Sequence, residues 1–175
     1  GAVLPTSDSD YRMDFTVLAS ADGSVSLRGR RDATSTSTSP AVFVNAFELE
    51  QTSALLIDPV AALAVDFGNG ATTLPGFNQM TLATNGANFG GKTVTLSAVG
   101  GATLAERNRT APVNDAIFTH AELLQDFIFA TNVAVELNNG MDVTVGGLAP
   151  NQQYLVTLWS YDNTSVGARA STWSS

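Results

Sequence analysis

The residues that carry most nucleophilic and metal chemistry are scarce in this chain. Its 175 residues include one histidine, His120, and no cysteine. A serine nucleophile requires a neighbouring base, and the sequence contains no G-x-S-x-G elbow to present one. We therefore interpret His120 as a polar residue on the outer face of a short helix. Disulfides and thiolate metal sites are excluded, and the sequence predicts a protein that is not an enzyme.

Carboxylates are more abundant, with 16 Asp and Glu residues against eight Lys and Arg residues. Their spacing does not single out a pair of the kind that glycosidases use. Carboxylates and backbone carbonyls together suit calcium. The candidate ligands of one structural calcium ion are Asp22, Glu48 and Asp66, although no EF-hand-like loop surrounds them. We expect no other cofactor.

Two further aspartates, Asp126 and Asp162, lie next to aromatic residues and are expected to be partly buried. A buried carboxylate requires partners. The arginines available as partners are Arg28, Arg30, Arg107 and Arg109. We favour structural salt bridges over a ligand site for both aspartates.

Three aromatic residues, Trp159, Tyr161 and Trp173, are the candidates for stacking on a sugar ring. Trp159 and Tyr161 share one face of a predicted strand with Leu155, so packing in the core is the default for that pair. Trp173 lies in a polar terminal segment and is the better exposed candidate. It is equally suited to anchor a neighbouring subunit, as buried aromatic residues do at interfaces.

The composition indicates a location and excludes some partners. A formal net charge of −8 with a single lysine, Lys92, excludes a nucleic-acid partner. The most apolar stretch, residues 54–65, is interrupted by Asp58-Pro59 and is too short to span a bilayer, so we expect no transmembrane segment. Abundant Ser, Thr, Asn and Gly is typical of secreted all-β proteins. We expect an extracellular or cell-surface location, where Asn108 and Asn163 match the glycosylation acceptor pattern.

Alternation of apolar and polar residues predicts strands along most of the chain. The clearest ranges are 11–19, 24–30, 41–49, 92–98, 133–137, 141–145 and 153–161. One stretch, 119–127, has leucines at helical spacing and predicts a short helix. The fold class that buries this pattern is all-β, a jelly-roll-like antiparallel β-sandwich with one short helix.

The order of these strands is unusual. Residues 141–145 and 153–161 form a strand pair near the end of the chain, whereas the partners that such a pair needs, 11–19, 24–30 and 42–49, lie at its beginning. Two arrangements satisfy this order. Either the chain closes on itself as a permuted domain, or strands are exchanged between copies.

Read from Val65 to the end and then from Gly1 to Glu50, the chain resembles one family in several segments. The segments that match are Val65–Gly68, Pro75–Phe77, Arg107–Arg109, Leu124–Phe129, Gly147–Asn151, Leu158–Asp162, Tyr11–Phe15, Leu27–Asp32 and Val42–Glu48. In these segments the sequence resembles a jelly-roll module of large exported bacterial proteins, many with C-terminal sorting tags. Such modules look like galactose-binding-type sandwiches and carbohydrate-binding modules.

The resemblance implies a division of the chain. Residues 1–52 correspond to the C-terminal half of a sandwich and would donate strands, 53–63 are a connector, and 64–175 correspond to the N-terminal half. We expect a non-catalytic structural subunit or repeat module that assembles head to tail with copies of itself into a filament or surface layer. The residues expected at the junction are Tyr11, Phe15, Phe43, Phe47, Leu55, Leu56 and Ile57. The alternative is a monomeric carbohydrate-binding module with a polysaccharide partner.

Overall fold

The computed structural model describes residues 5–38, 41–52, 61–70, 72–113, 115–132, 139–162, 167 and 169–175. The predicted all-β class is confirmed. The strands of the described residues are β1 (Arg12–Leu18), β2 (Val25–Arg31), β3 (Ala41–Val44), β4 (Ala46–Gln51), β5 (Ala61–Phe67), β6 (Asn78–Met80), β7 (Asn88–Phe89), β8 (Lys92–Val99), β9 (Thr103–Asn108), β10 (Asp126–Thr131), β11 (Gly140–Gly146), β12 (Gln153–Trp159) and β13 (Ser171–Ser174). The strand predicted over 133–137 lies outside the described residues.

The strands form three sheets that surround one main core. Sheet A has the order β1-β12-β4-β5-β6, sheet B the order β13-β2-β11-β8-β7, and sheet C the order β3-β10-β9. All the ladders are antiparallel except that of β5 with β6. Every second residue of a strand faces the core, as Val25 and Leu27 of β2 do. The main core cluster takes buried residues from all three sheets, so the molecule is an all-β sandwich.

The alternating strand predicted over 92–98 is confirmed and corresponds to β8. Strand β8 begins after a two-residue loop in which Gly90 and Gly91 have φ values of 60° and 87°. Positive φ at both loop positions is the requirement of a type I′ hairpin turn, and glycine adopts it without strain. In β8 itself, Val94 and Leu96 are buried and the residues between and after them are exposed.

The short helix expected over 119–127 is a 3-10 helix of four residues, Ala121–Leu124. Leu123 and Leu124 are fully buried, as their spacing predicted. Phe127 instead belongs to β10, where it pairs with Arg107 of β9, because the ladder overrides the helical pattern. The described residues form only short 3-10 helices, none of them long and apolar enough to cross a membrane.

The run 41–49, expected as one central strand, is divided between two sheets. Residues 41–44 form β3 in sheet C, and β4 starts at Ala46 in sheet A. The change occurs at Asn45, which is fully buried. Its side-chain amide donates to the Asp126 carbonyl at 2.9 Å and accepts from the Tyr161 amide at 2.6 Å. These two bonds hold the chain where it leaves one sheet for the other.

The first four strands complete the sheets formed by the rest of the same chain. β1 pairs with β12, β2 with β11 and β13, β3 with β10, and β4 with β12 and β5. In the described residues, no ladder joins two of these four strands. In the single chain, residues 5–52 therefore lie among strands of residues 61–175, and the chain closes on itself.

Candidate functional site

One end of the outer face of sheet A is covered by loops. The strand registers place Trp159, Ala46 and Asp66 in one row across β12, β4 and β5. Directly paired residues share a face, so all three side chains point away from the main core. A second cluster covers this row, and we call it the cap cluster. Its buried members are Tyr11, Ala46, Leu123, Leu124 and Trp159.

Beside the cap cluster lie two buried carboxylates, Asp66 of β5 and Asp126 of β10. Each residue is 1% exposed. Both oxygens of Asp66 and Oδ1 of Asp126 are buried without a hydrogen-bond partner among the described residues. Oδ2 of Asp126 accepts the Gly70 amide at 2.5 Å. The two acids are 60 residues apart in the sequence, yet they are close enough for the charge of Asp126 to raise the pKa of Asp66, and three of their four oxygens are without a hydrogen-bond partner among the described residues.

The environment of the pair raises the pKa of both carboxyl groups. Burial raises the pKa of Asp66 to about 7, and the negative charge of Asp126 adds to the effect. The Leu74 amide lies near enough to lower that pKa in part, but its geometry falls short of a hydrogen bond. Burial also raises the pKa of Asp126, and the Gly70 amide partly offsets this. Desolvation dominates at both positions because it disfavours the charged form.

A glycine loop closes around the pair. A Cβ atom on Gly68 would lie 2.6 Å from Oδ2 of Asp126, and one on Gly70 would lie 2.8 Å from the same carboxylate. Gly68 also has a φ of 129°, which favours glycine. The side-chain amide of Gln79 donates to the Gly70 carbonyl at 2.8 Å and holds the loop in place. Glycine is needed here because the backbone approaches the carboxylate directly.

The structure does not bring the three expected calcium ligands together. Asp22 is exposed in the β1–β2 turn, where bonds from the Ser20 and Ser24 hydroxyls lower its pKa. Asp66 lies in the row of Arg12, at the far end of β1. At roughly 3.3 Å per residue, the length of β1 alone separates Asp22 from that row by about 20 Å.

Glu48 is half-buried on the outer face of β4, one row away from Asp66, and pairs with Ala64. Burial raises its pKa, followed by the charge of Glu50. Within the part of the chain that the structure describes, no group of three or more His, Cys, Asp or Glu side chains is placed to hold a metal ion. Sequence reasoning missed that the partner of Asp66 is Asp126. The signal that both positions share is an Asp-Phe pair in an apolar strand.

The three candidate sugar-binding aromatics are packed against other residues. Trp159 is 3% exposed, and its ring contacts Phe77 and His120 edge-on. Tyr161 is half-buried and packs against the cap cluster. Trp173, on the edge strand β13, covers Gly29, where an added Cβ would lie 2.7 Å from its ring. These rings fill space beside the core.

The buried acid Asp162 has the partner expected of it. It accepts from Arg109 at 3.2 Å and from Arg169 at 2.9 Å, with its side chain 1% exposed. Among the other arginines, Arg28 pairs with Asp142, and Arg107 lies over the ring of Phe129 at 5.2 Å. Asp126 forms no salt bridge among the described residues, unlike the interpretation made for it. The difference between Asp162 and Asp126 is therefore the counter-charge.

The expected junction residues of the first third pack on the rest of the chain. The ring of Phe43 packs against two phenylalanine rings of β10, with ring centroids 5.1 and 5.8 Å apart. The ring centroids of Phe47 and Phe67 are 5.6 Å apart. Tyr11 is buried, and its hydroxyl donates to the Ile117 carbonyl at 2.5 Å. The half-buried Phe15 packs against the main core.

The remaining candidates lie at the surface or outside the described residues. Asn108 is exposed at the end of β9. Leu55, Leu56, Ile57 and Asn163 are outside the described residues. A cleft of about 300 Å³ opens between β5 and the β7–β8 hairpin, and Lys92 is the one charged residue in its lining. Comparison of the chain with protein-family models, curated proteins and solved structures gave no match.

Proposed function

We propose that the chain is a non-catalytic structural subunit, outside the cell or at its surface, which assembles head to tail by exchange of residues 5–52. One observation carries the proposal. All the ladders of the first four strands run to strands of residues 61–175, and none joins two of the four among the described residues. Without the segment, β12 has no neighbour on either side and sheet B has a gap between β13 and β11.

The segment is also held by its side chains. The buried residues that it contributes to the main core include Val17, Leu27, Val42, Phe47 and Leu49. At about 1.5–3 kcal/mol for each fully buried side chain, their burial contributes roughly 10 kcal/mol before entropy is counted. A segment bound this strongly does not leave a folded chain readily. Exchange must therefore occur during folding, before residues 5–52 have inserted into their own chain or into a neighbouring copy.

Insertion into the same chain and insertion into a neighbour use identical ladders. The two states differ in whether the ladder partners of β1, β2, β3 and β4 belong to the same copy or to a neighbouring copy. In such an exchange the concentration of chains decides the outcome, because insertion within the chain competes at a fixed effective concentration. When each copy donates to the next, the contact is heterologous and propagates as an open filament unless it closes into a ring.

Cysteine cross-linking tests the exchange directly, since the chain has no cysteine of its own. Ser26 of β2 lies directly opposite Thr144 of β11, close enough for a disulfide. Chains carrying only Ser26→Cys and chains carrying only Thr144→Cys are mixed unfolded, refolded together and oxidised. Exchange predicts covalent dimers whose yield rises with the concentration during refolding, and electron microscopy should then reveal filaments.

The matched control pairs Thr144→Cys with Thr95→Cys, which lie opposite each other on β11 and β8. Both positions belong to residues 61–175, so exchange of 5–52 cannot link them between copies. Equal dimer yields in the two mixtures, or no dimers at any concentration, would contradict the proposal. A compact 18.2 kDa monomer that binds a polysaccharide and loses binding on Trp173→Ala would favour the carbohydrate-binding alternative instead.

A further inference from the structure

Among the described residues, the Asp66–Asp126 pair has no counter-charge that accounts for its burial. Both residues are 1% exposed, and three of their four carboxylate oxygens have no hydrogen-bond partner among the described residues. Asp162, by contrast, is neutralised by two arginines. Removal of an unpaired carboxylate from water costs several kcal/mol. Such a pair therefore requires a compensating positive charge, supplied either by a bound cation or by protons.

The surroundings fit an ion rather than a side chain. Gly68 and Gly70 bring the backbone into contact with the Asp126 carboxylate, so that even a methyl group would collide with it. Side-chain amides fix the backbone on both sides: Gln79 donates to the Gly70 carbonyl, and Asn45 donates to the Asp126 carbonyl. The unpartnered atoms of the pair are carboxylate oxygens. Oxygen ligands select hard cations such as calcium over zinc or copper.

We propose that Asp66 and Asp126 together bind one divalent cation of the calcium class beneath the Gly68–Gly70 loop. Two carboxylates balance the charge of such an ion. The buried, unpartnered oxygens of Asp66 are the ligands for which the structure offers no other role. Both carboxylates belong to residues 61–175, so the site does not depend on exchange of the first four strands.

Calcium titration of the full chain tests the site. The chain is stripped with a chelator at pH 8 and titrated with calcium chloride by isothermal calorimetry, and thermal unfolding is followed by circular dichroism. We expect one ion per chain and a melting temperature that rises to a plateau as calcium is added. Asp66→Asn should weaken calcium binding by about 10-fold or more, since it removes a charged ligand. Asp22→Asn removes an exposed acid of equal charge and should leave the binding unchanged.

Several outcomes would overturn the proposal. One is an unmodified chain that gives no binding heat and an unchanged melting temperature with calcium or magnesium at millimolar concentration. The two acids would then be neutralised by protons instead. That measurement does not depend on whether any variant folds. Equal weakening by Asp22→Asn and Asp66→Asn would also sink the site, because it would indicate only attraction to a chain of net charge −8.

Discussion

The metal-free chain should lose stability as the pH rises from about 4 to about 8, and Asp66 should account for much of the loss. Burial, followed by the charge of Asp126, raises the pKa of Asp66 from its ordinary value of 3.8 to about 7. The folded state therefore binds a proton that the unfolded state has released over this range. This contribution to stability is complete below pH 3.8 and is lost as the pH rises through 7.

The size of the effect follows from the two pKa values. The difference between 3.8 and about 7, at roughly 1.36 kcal/mol per pH unit, amounts to about 4 kcal/mol. That is a large part of the 5–15 kcal/mol typical of a folded domain. Asp10, Asp22 and Asp32 have pKa values lowered by hydrogen bonds. Their contributions are lost only as the pH falls below about 4, outside the range in which Asp66 titrates.

Urea unfolding in the presence of a chelator, at intervals from pH 4 to pH 8, measures this effect. Asp66→Asn replaces the carboxyl with a neutral group of the same shape. The variant should match the unmodified chain near pH 4 and exceed its free energy of unfolding by about 4 kcal/mol at pH 8. The free energy of unfolding of Asp22→Asn, the exposed control, should run parallel to that of the unmodified chain over this pH range. If the free energy of unfolding changed with pH in parallel for the unmodified chain and Asp66→Asn, the inference that Asp66 is buried without a compensating partner would be refuted.

Two further substitutions test the contact of the glycine loop with Asp126 and the salt bridges of Asp162. Gly68→Ala places a Cβ atom 2.6 Å from the Asp126 carboxylate and should lower the free energy of unfolding by about 2 kcal/mol or more. The control is Gly86→Ala, because Gly86 has a φ of 88° but open space around it. This control should lower the free energy of unfolding only by the backbone strain, about 1 kcal/mol. Asp162→Asn leaves two partly buried guanidinium groups unpaired and should cost about 3 kcal/mol in urea unfolding, whereas Asp142→Asn, in a more exposed pair, should cost about 1 kcal/mol.

Local patterns were sufficient to predict much of the fold. Alternation of apolar and polar residues correctly indicated the buried faces of β2 and β8. These features depend on residues a few positions apart. The salt bridge of Asp162 with Arg109 was predictable for a related reason, since a buried acid requires a base and few arginines are available.

Features that depend on distant contacts were not predictable in the same way. Leu123, Leu124 and Phe127 have helical spacing, yet Phe127 belongs to a strand because β9 and β3 flank β10 on both sides. The Asp66–Asp126 pair joins two loop-flanked strand ends that only the completed sandwich brings together. The spacing of the acids does not indicate that Asp66 and Asp126 come together. The predicted calcium ligands were therefore Asp22 and Glu48 in addition to Asp66.

Asn45 connects the strand order to the identity of the partner in an exchange. Its backbone amide donates to Trp159 and its backbone carbonyl accepts from Phe67, while its side chain bonds to Asp126 and Tyr161. All four groups belong to residues 61–175, and a buried amide with any of them missing would lose the bond and pay for desolvation. A chain that receives residues 5–52 must therefore present the same four groups around Asn45, between β3 and β4. Another copy of this chain does so, which favours exchange between identical copies over pairing with an unrelated sheet.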